Sequence, residues 1–384
     1  MPVYSKIVPV AEGPVEGFPG VVRAGPLVFV SGCDGHRDRT TERVVPELAG
    51  DAERQCENAY GRLGELLVRA GSSIDRVVRL DHLTSSQDWL ARRQAVRERI
   101  FGKPAPLAST GVAAKMNGIN MLTVSAIAVA DANEKTVLVE GSRYAMPNLS
   151  SAVRGGPLVF MSGIRGTVDP KTAARVAEET PESFCAQTRV CYGVINSIVS
   201  DCGLDPSALL RLDCFLRDGS RADEEEQIRI EELGAIACAS TRVALPLSAR
   251  GEVEITALAA APGVAKRLFV EDRDPIVVGA GGFLFVGECL GLARRDTRSE
   301  VPIDSPRIQL ERACRSLESA LREAGSALSN LVRLEVYFRD IYRAAASMKS
   351  LRRLLGDSLP SVVVAGAELE GLLEVKLNAI AIGD

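Results

Sequence analysis

Residues 55–81 read QCENAYGRLGELLVRAGSSIDRVVRLD, and the same plan returns twice further along the chain, from Gln187 and from Gln309. In each copy a glycine lies sixteen residues after the glutamine, and an acidic residue lies ten residues after that glycine. The glycines are Gly71, Gly203 and Gly325, and the acidic residues are Asp81, Asp213 and Glu335. Spacing this strict, with no insertions, predicts a packed helix–turn–strand unit that is used three times.

Each copy lies inside a longer repeat. An apolar strand that ends in a small-residue turn precedes it, in the versions GPLVFVSGCDG from Gly25, GPLVFMSGIRG from Gly156 and GGFLFVGECLG from Gly281. A closing strand follows it, in the versions LTVSAIAVA from Leu122, VEITALAAA from Val253 and VKLNAIAIG from Val375. We therefore expect three domains, over residues 1–132, 133–262 and 263–384.

The elements of one repeat follow the order β-β-α-β-α-β-β. In the first repeat we expect helices over about residues 52–69 and 87–102. Gly71 suits the positive φ of a helix C-terminal cap, and Gly102 with Pro104 stops the second helix. This order favours an α+β fold in which both helices cover one face of a sheet. Because the linkers are short, the repeats should be docked against each other.

Composition narrows the class of protein. The 384 residues carry a formal net charge of −4 with both signs spread along the chain, whereas a nucleic-acid-binding face needs clustered basic residues. No run of 18 apolar residues is present, and the N-terminal MPVYSKIVPV lacks the charged head and apolar core of a signal peptide. The nine cysteines form no CxxC motif, which is typical of reduced thiols in a cytoplasmic protein.

Few residues could hold a metal. The only two histidines, His36 and His82, lie in different predicted elements, so a transition-metal site is not expected. We expect a small molecule as ligand, with no metal, no cofactor, no nucleic acid and no membrane as partner.

The strand after each helix has one apolar and one charged face, because successive side chains of a strand point to opposite sides. The apolar face should cover the helices. The other face carries Arg79 and Asp81, Arg211 and Asp213, or Arg333 and Glu335. We predict that these six side chains meet around a pseudo-threefold axis as a ring of paired charges. The alternative is a solvated sheet face.

The VSG strand end, the helix followed by AG, and the closing xAIAV strand resemble the RidA family (reactive intermediate deaminase, also called YjgF). The resemblance covers each repeat nearly end to end. It implies a chorismate-mutase-like fold and, because family members are usually homotrimers, an intrachain pseudo-trimer with a central barrel-like core and ligand clefts between repeats. The sequence leaves open whether this monomeric pseudo-trimer pairs with a second copy.

The family's deaminases hydrolyse enamines and imines, and this chain departs from their motif. Their arginine position falls at Ala108 or Leu107, at Ala239 or Cys238, and at Val362 or Ser361. Their glutamate position holds Ser125, Thr256 and Asn378, and their tyrosine position holds Phe18, Leu149 and Asp274. The fold and the clefts therefore carry over, while the deaminase chemistry does not.

Other residues could supply the chemistry. Cys33 lies beside Asp34 and His36 and could be an activated thiol, although an ordinary buried cysteine is the simpler interpretation. Glu288 replaces a turn glycine and could act as an acid or base, against the alternative of a surface salt bridge. Arg242 or Arg165 could bind a substrate carboxylate, against the alternative of a solvated arginine.

Hydroxyl and amide side chains are further candidates. Ser125, Thr256 and Asn378 either form local hydrogen bonds or face a ligand, because polar groups in a buried strand need partners. The remaining candidate ligand-binding residues, which could equally be ordinary strand and turn residues, are Ser31, Ser162, Ser109, Thr110 and Thr241.

Two functions fit these residues. The first is a hydrolase of the deaminase-like type, which acts on a small carboxylated, carbonyl or imine metabolite in one cleft, in a specialised pathway. The second is a non-catalytic protein that binds a small molecule or a partner, and the loss of the family's arginine and glutamate in all three repeats supports it.

Overall fold

The computed structural model describes residues 4–7, 13, 15–130, 133–144, 146–169, 174–176, 180, 182–247, 251–270, 275–292 and 305–383. Asp274, named above, lies outside these residues. Within them, each repeat contributes one sheet and two α-helices.

The helices and strands are numbered in chain order. Repeat 1 contains β1 Lys6–Ile7, β2 Val21–Ala24, β3 Leu27–Asp34, α1 Ala52–Arg69, β4 Val77–Thr84, α2 Leu90–Phe101, β5 Ala108–Ala113 and β6 Leu122–Val129. Repeat 2 contains β7 Lys135–Glu140, β8 Ser150–Gly155, β9 Leu158–Met161, β10 Ile164–Arg165, α3 Ser183–Asp201, β11 Leu209–Leu216, α4 Ala222–Leu233, β12 Ala239–Ala244 and β13 Val253–Ala260. Repeat 3 contains β14 Lys266–Val270, β15 Val277–Ala280, β16 Phe283–Leu290, α5 Pro306–Glu323, β17 Leu331–Phe338, α6 Ala344–Leu355, β18 Ser361–Gly366 and β19 Val375–Ile382.

The three sheets share one topology. Their strand orders are β1-β2-β3-β6-β4-β5, β7-β8-β9-β13-β11-β12 with β10 also on β13, and β14-β15-β16-β19-β17-β18. The second helix of each repeat connects two parallel strands, β4 to β5, β11 to β12 and β17 to β18, as a parallel connection requires. The predicted element order is confirmed, and β1, β7 and β14 are edge strands that it did not include.

The glycine after the first helix of each repeat has the predicted conformation. Gly71, Gly203 and Gly325 have φ values of 71°, 69° and 74°. In this left-handed region a side chain would be strained, and the chain leaves the helix there with its last carbonyls satisfied. The regular glycine spacing in the sequence is therefore a helix-termination signal.

The repeated glutamine joins the helix to the closing strand. Gln55, Gln187 and Gln309 are fully buried. Each side-chain carbonyl accepts a hydrogen bond of 2.8 Å from the backbone amide just before or at the start of the closing strand, at Met121, Glu252 or Glu374. An unpaired buried amide is costly, so this bond fixes the helix against the strand in all three repeats.

Each sheet packs one face on its own helices and the other on the molecular axis. Three apolar clusters, one per repeat, fill the space between helices and sheet. A fourth combines all three repeats on the axis and includes Val78, Leu210 and Val332. The sheets surround it as a barrel would, but in the described residues each keeps its own hydrogen-bond ladder and they do not close into one barrel.

A ring of six charged side chains crosses the axis. Each arginine Nε donates to the acid two residues further along its own strand at 2.8 Å, in the pairs Arg79–Asp81, Arg211–Asp213 and Arg333–Glu335. Each Nη2 also donates to an acid of another repeat, at 3.3 Å for Arg79 to Asp213, 2.5 Å for Arg211 to Glu335 and 3.4 Å for Arg333 to Asp81. The predicted ring is confirmed, and it closes the pseudo-trimer.

A β-bulge aims each arginine at the axis. The pairing with the closing strand shifts register between Val77 and Arg79, and the same shift recurs before Arg211 and Arg333. The extra residue lets a valine or leucine and the arginine after it both face the axis, as in Val78 and Arg79. The ring thus lies between the apolar cluster described above and a second axial cluster that includes Leu83, Phe215 and Tyr337.

The ring shifts the pKa values of Glu335 and Arg211. Burial would raise the pKa of Glu335, but Arg211, Arg333 and Arg79 outweigh it and hold that pKa far below its usual value. The pKa of Arg211 is raised, since Asp213 and Glu335 outweigh the effect of burial. Glu335 and Arg211 therefore remain charged around neutral pH.

The described helices include none that is long and apolar enough to cross a membrane.

The substitution Asp213→Asn should lower the free energy of unfolding by about 3 kcal/mol or more, because it leaves buried arginines without their carboxylate. Equilibrium urea unfolding would measure the change. Glu231→Gln is the matched control, since Glu231 pairs with Arg189 on the surface and its loss should leave the unfolding midpoint unchanged. Equal effects of the two substitutions would contradict a stabilising ring.

Candidate functional site

Three cavities lie at the three contacts between repeats. Cleft A, of about 300 Å³, lies between α2 and β5 of repeat 1 and β10 and β13 of repeat 2. Cleft B, of about 900 Å³, lies between β12 of repeat 2 and β16 and β19 of repeat 3. Cleft C, of about 680 Å³, lies between α6 and β18 of repeat 3 and the end of β3 in repeat 1. Their lining residues include Arg93, Thr110 and Glu254 in cleft A, Arg242, Glu288 and Lys376 in cleft B, and Asp34, His36 and Val364 in cleft C.

The clefts differ at one equivalent position of the closing strand. Strand pairing aligns Thr123 with Asp34, Glu254 with Arg165, and Lys376 with Leu290. A hydroxyl, a carboxylate and an ammonium group thus occupy the same place in clefts C, A and B. The repeats share a backbone while their clefts carry different chemistry.

Glu254 is the buried carboxylate of cleft A, with only 2% of its surface exposed. Its Oε2 accepts a hydrogen bond from Arg165 Nε at 2.6 Å. Its Oε1 accepts from Thr110 Oγ1 at 2.5 Å and from the Gly111 amide at 3.3 Å. Residues of repeats 1 and 2 therefore hold one carboxylate jointly at the wall of the cavity.

Two glycines leave room for this arrangement. A Cβ at Gly163 would lie 2.5 Å from Glu254 Oε1, so the carboxylate rests directly on the backbone there. A Cβ at Gly111 would lie 2.5 Å from Arg93 Nη1. Because the Gly111 amide also donates to Glu254, the Arg93 guanidinium and the Glu254 carboxylate meet at this one residue.

Glu254 is ionised at neutral pH. Burial would raise its pKa, but Arg165 and the hydrogen bonds from Thr110 and Gly111 outweigh burial and lower it. An ionised carboxylate accepts hydrogen bonds and protons, and it stabilises a positive charge beside it. It can therefore orient water or a cationic group in cleft A.

Arg93 and Arg97, one helical turn apart on α2, also line cleft A. They are 4% and 3% exposed. Arg93 Nε and Nη1 and Arg97 Nε and Nη2 are buried without a hydrogen-bond partner. Burial lowers the pKa of Arg93 to about 10, which still leaves it charged at neutral pH. Buried cations without partners are costly, and they are the binding groups that an anion requires.

His82 lies behind these arginines and is kept neutral. Its Nε2 lies 2.6 Å from Tyr60 Oη and its Nδ1 3.1 Å from the Thr110 carbonyl, which must accept from Nδ1–H. Burial, with Arg93 and Arg97, lowers the pKa of His82 well below its usual value. A neutral imidazole adds no charge to cleft A.

Cleft B brings together Arg242 and Glu288, both predicted as site residues. Arg242 Nε donates to Glu225 Oε2 at 2.5 Å, and Lys376 Nζ lies 3.1 Å from Glu288 Oε2. Lys376 also donates to Glu370 at 3.2 Å. Glu288 lines the cleft as expected, but Arg242 is engaged with a protein carboxylate, as Arg165 is in cleft A. Neither matches the solvated alternative.

Cleft C contains Asp34 and His36. Asp34 Oδ1 accepts from Thr123 Oγ1 at 2.6 Å and from Asn120 Nδ2 at 3.1 Å. His36 is mostly buried, and its Nδ1 has no hydrogen-bond partner. Burial lowers the pKa of His36.

Cys33 does not lie in the environment of a nucleophile. It is 1% exposed, and its side chain belongs to the core between helix and sheet of repeat 1. Burial raises the pKa of its thiol strongly, so the reactive thiolate is not formed at neutral pH. Asp34 and His36 face cleft C instead, because alternate residues of β3 point to opposite sides. This supports the ordinary buried cysteine, the simpler interpretation.

Two predicted serines join the repeats. Ser31 Oγ accepts from the Val362 amide and Ser162 Oγ accepts from the Ser109 amide, both at 2.9 Å. At the contact between repeats 2 and 3, Gly287 stands at the position of these serines and lies beside the backbone of Ser240. Ser109 and Thr110 also line cleft A.

The hydroxyl and amide residues of the closing strands form local hydrogen bonds. Ser125 Oγ accepts from Arg333 Nη2 at 2.9 Å and so belongs to the charged ring. Thr256 Oγ1 donates to the Met161 carbonyl at 3.0 Å. Asn378 Nδ2 donates to Thr241 Oγ1 at 3.1 Å across the contact between repeats 2 and 3. Of the two interpretations of these residues, the structure supports local bonding.

The sequence did not identify Glu254, Arg93 and Arg97. A signal for Glu254 was present, since an acid inside the apolar strand VEITALAAA must be paired or functional. The two arginines lie in a helix of mixed charges, LARRQAVRERIF, where a solvated face is the usual interpretation. Their burial depends on residues distant in sequence, such as Gly111 of repeat 1 and Arg165 of repeat 2.

Similarity to known proteins follows the repeats. No protein-family model matches the chain. RutC family protein UK114 of Drosophila melanogaster is 30% identical over 128 residues, which are 33% of this chain and 90% of that protein. The chain belongs to the UK114, or RidA (YjgF), family. This RidA-family membership makes it a protein that processes or binds a small molecule.

Two solved structures resemble this RidA-family chain. A member of the YjgF/YER057c/UK114 family from Mycobacterium tuberculosis is 27% identical and covers 33% of this chain and 100% of its own, with a TM-score of 0.27. A chorismatase covers 80% of this chain and 93% of its own, with a TM-score of 0.53 at 14% identity. The second likeness extends well beyond one repeat, and at this identity it shows the fold alone.

The burial of the thiols can be tested by labelling. Of the nine cysteines only Cys185 is not buried, and its Sγ donates to Glu224 Oε1 at 2.7 Å. The native protein should therefore react with a thiol reagent slowly and at about one site, while all cysteines react after unfolding. Cys185→Ser should abolish native labelling and Cys33→Ser should not change it. Labelling of Cys33 in the native state, located by peptide mass mapping, would contradict its burial.

Proposed function

We propose that this chain is an enzyme that acts on a small imine, enamine or carbonyl metabolite with a carboxylate, and that cleft A is its active cleft. In this proposal Glu254 transfers the proton and the α2 arginines attract the carboxylate. The observation that carries the proposal is the meeting of a buried carboxylate with the buried, unpartnered Arg93 at Gly111.

The choice of cleft A follows from the charges. In cleft B the described buried charges pair within the protein, as Arg242 with Glu225 and Lys376 with Glu288. In cleft A Glu254 has Arg165 as its partner, while Arg93 and Arg97 have no ion pair among the described residues. An anionic substrate would therefore supply what the protein lacks in cleft A.

The reaction would use the ionised Glu254 in one step. Water adds to the carbon of the C=N bond, and Glu254 accepts a proton from that water as the C–O bond forms. That proton passes to the nitrogen, which gives the carbinolamine. The hydroxyl proton of the carbinolamine is then transferred to the nitrogen as well, the C–N bond breaks as the C=O bond forms, and ammonia and the carbonyl product leave. A low pKa makes Glu254 a weak base, so it would act as much by stabilising a cationic iminium as by removing the proton.

Glu254→Gln should lower kcat/KM at least about 100-fold, because the amide cannot accept the proton. Amino-acid oxidases would generate a panel of imino acids in situ, and release of keto acid would be followed with and without the protein. Glu288→Gln is the matched control, since it removes a buried, ion-paired carboxylate from cleft B and should leave the rate nearly unchanged. Equal losses in the two variants would sink the assignment of cleft A.

The pH profile gives a second test of Glu254. The carboxylate is the active form, and its pKa lies below the ordinary value of about 4.3 for glutamate. The rate should therefore be level between about pH 5 and pH 8, and it should fall only as the pH drops towards that lowered pKa. A fall that begins near pH 7 would show that another group is the base.

The non-catalytic alternative retains one observation in its favour. Ser125, Thr256 and Asn378, at the positions predicted to replace the family's glutamate, are used for local hydrogen bonds. If no imine in the panel is hydrolysed faster, but small anions still bind in cleft A, the chain is a binding protein. Either function would reside in a single chain, because both walls of cleft A come from it.

A further inference from the structure

We propose that the ligand of cleft A is a small dianion, which Arg93 and Arg97 bind together. The identification of cleft A as the active cleft rests on the proposed function, but the binding of a dianion there can be tested without turnover. The shared chemistry is a compact molecule with two negative charges, supplied by two carboxylates or by one phosphate group.

The charges that line cleft A favour a ligand with two negative charges. In the described part of the lining, the charged residues are Arg93, Arg97, Arg165 and Glu254. Arg165 and Glu254 form an ion pair at 2.6 Å and cancel each other. The other two arginines leave two positive charges in a cavity of about 300 Å³. A monoanion would neutralise one of them and leave the other buried without a partner.

The hydrogen-bonding capacity agrees with the charge. Four guanidinium nitrogens, two on each arginine, are buried without an acceptor. Side chains four residues apart on a helix lie about 5–6 Å apart at Cβ. Two guanidinium groups at this spacing can each hold one carboxylate, or converge on one phosphate.

The other two repeats carry different residues, or pair them within the protein, at the positions of Arg93 and Arg97. The residues of α4 that correspond to Arg93 and Arg97 are Glu225 and Arg229. Glu225 binds Tyr192 and Arg242, and Arg229 donates to the Ile236 carbonyl at 3.2 Å. In α6 the corresponding residues are Ser347 and Leu351, which carry no charge. Among the described residues, the unpaired arginine couple therefore belongs to repeat 1.

Gly111 leaves room for the Arg93 guanidinium at the wall of cleft A. Strand pairing places Gly111, Arg242 and Val364 at the same position, two residues after the one that pairs with Leu80, Leu212 or Leu334. In repeat 2 the Arg242 side chain fills this space and neutralises Glu225. In repeat 1 the Arg93 guanidinium takes this space, since a Cβ at Gly111 would lie 2.5 Å from Arg93 Nη1.

Calorimetric titration of the full chain at constant ionic strength would test the proposal. The probes are succinate, inorganic phosphate and acetate. At least one dianion should bind about 30-fold or more tightly than acetate, and the better of succinate and phosphate identifies the source of the charge. Arg97→Gln should weaken dianion binding at least about 10-fold and leave acetate nearly unchanged. Arg229→Gln, at the same helix position of repeat 2, is the matched control and should have no effect.

Thermal unfolding separates loss of a ligand site from loss of the fold. Without ligand, Arg97→Gln should melt at the same temperature as the wild type or higher, because it removes an unpartnered buried charge. The dianion should then raise the melting temperature of the wild type and not that of the variant. Equal binding of acetate and dianions, equal binding by wild type and Arg97→Gln, or no binding at all would each overturn the proposal.

The two proposals fail separately. Glu254→Gln should bind the dianion at least as tightly as the wild type does, since it leaves Arg165 unpaired and removes no group that binds the anion. Dianion binding without any turnover would contradict the proposed enzyme and support the proposed dianion ligand. Turnover that depends on Glu254, without dianion binding at Arg97, would contradict the proposed dianion ligand and support the proposed enzyme.

Discussion

The closed ring of three arginines and three acids is the interaction on which the molecule depends. Each arginine binds one acid in its own strand and one in another repeat. Charges removed from water are stable only when every member has its partners. The ring is thus an all-or-none contact. It holds three sheets around one axis, and the apolar clusters on either side keep water from it.

Because the ring fixes the repeats, the clefts between them are free to differ. The same closing-strand position holds Thr123, Glu254 or Lys376, and each has acquired a local partner that suits it. All three partners come from within the described protein. Among the described residues, cleft A is lined by two buried arginines, Arg93 and Arg97, that have no ion pair.

Most of the fold could be predicted from the sequence, because its signals are local and occur three times. The glycine sixteen residues after Gln55 marks a helix end in every copy, and the alternation in VRLEVYF separates the helix side from the ring side. The candidate site was predicted less well. Arg242 and Arg165 were candidates for binding a ligand carboxylate, but Glu225 and Glu254, which lie in other elements of the fold, already pair with them. Whether a charge is satisfied depends on neighbours that a linear pattern does not reveal, and the same holds for the burial of Arg93.

Gly111 illustrates a consequence of joining three repeats in one chain, which is that equivalent positions can carry different residues. In a trimer of identical subunits, one codon sets the same position in all three clefts, so a residue that suits one cleft is imposed on the other two. In this chain the equivalent position is encoded three times, as Gly111, Arg242 and Val364. A buried cation without an ion pair, such as Arg93, can then be confined to a single contact, while an ion-paired arginine and an apolar side chain occupy the same position at the other two. Tandem fusion thereby allows the residue at this position to change independently in each of the three clefts.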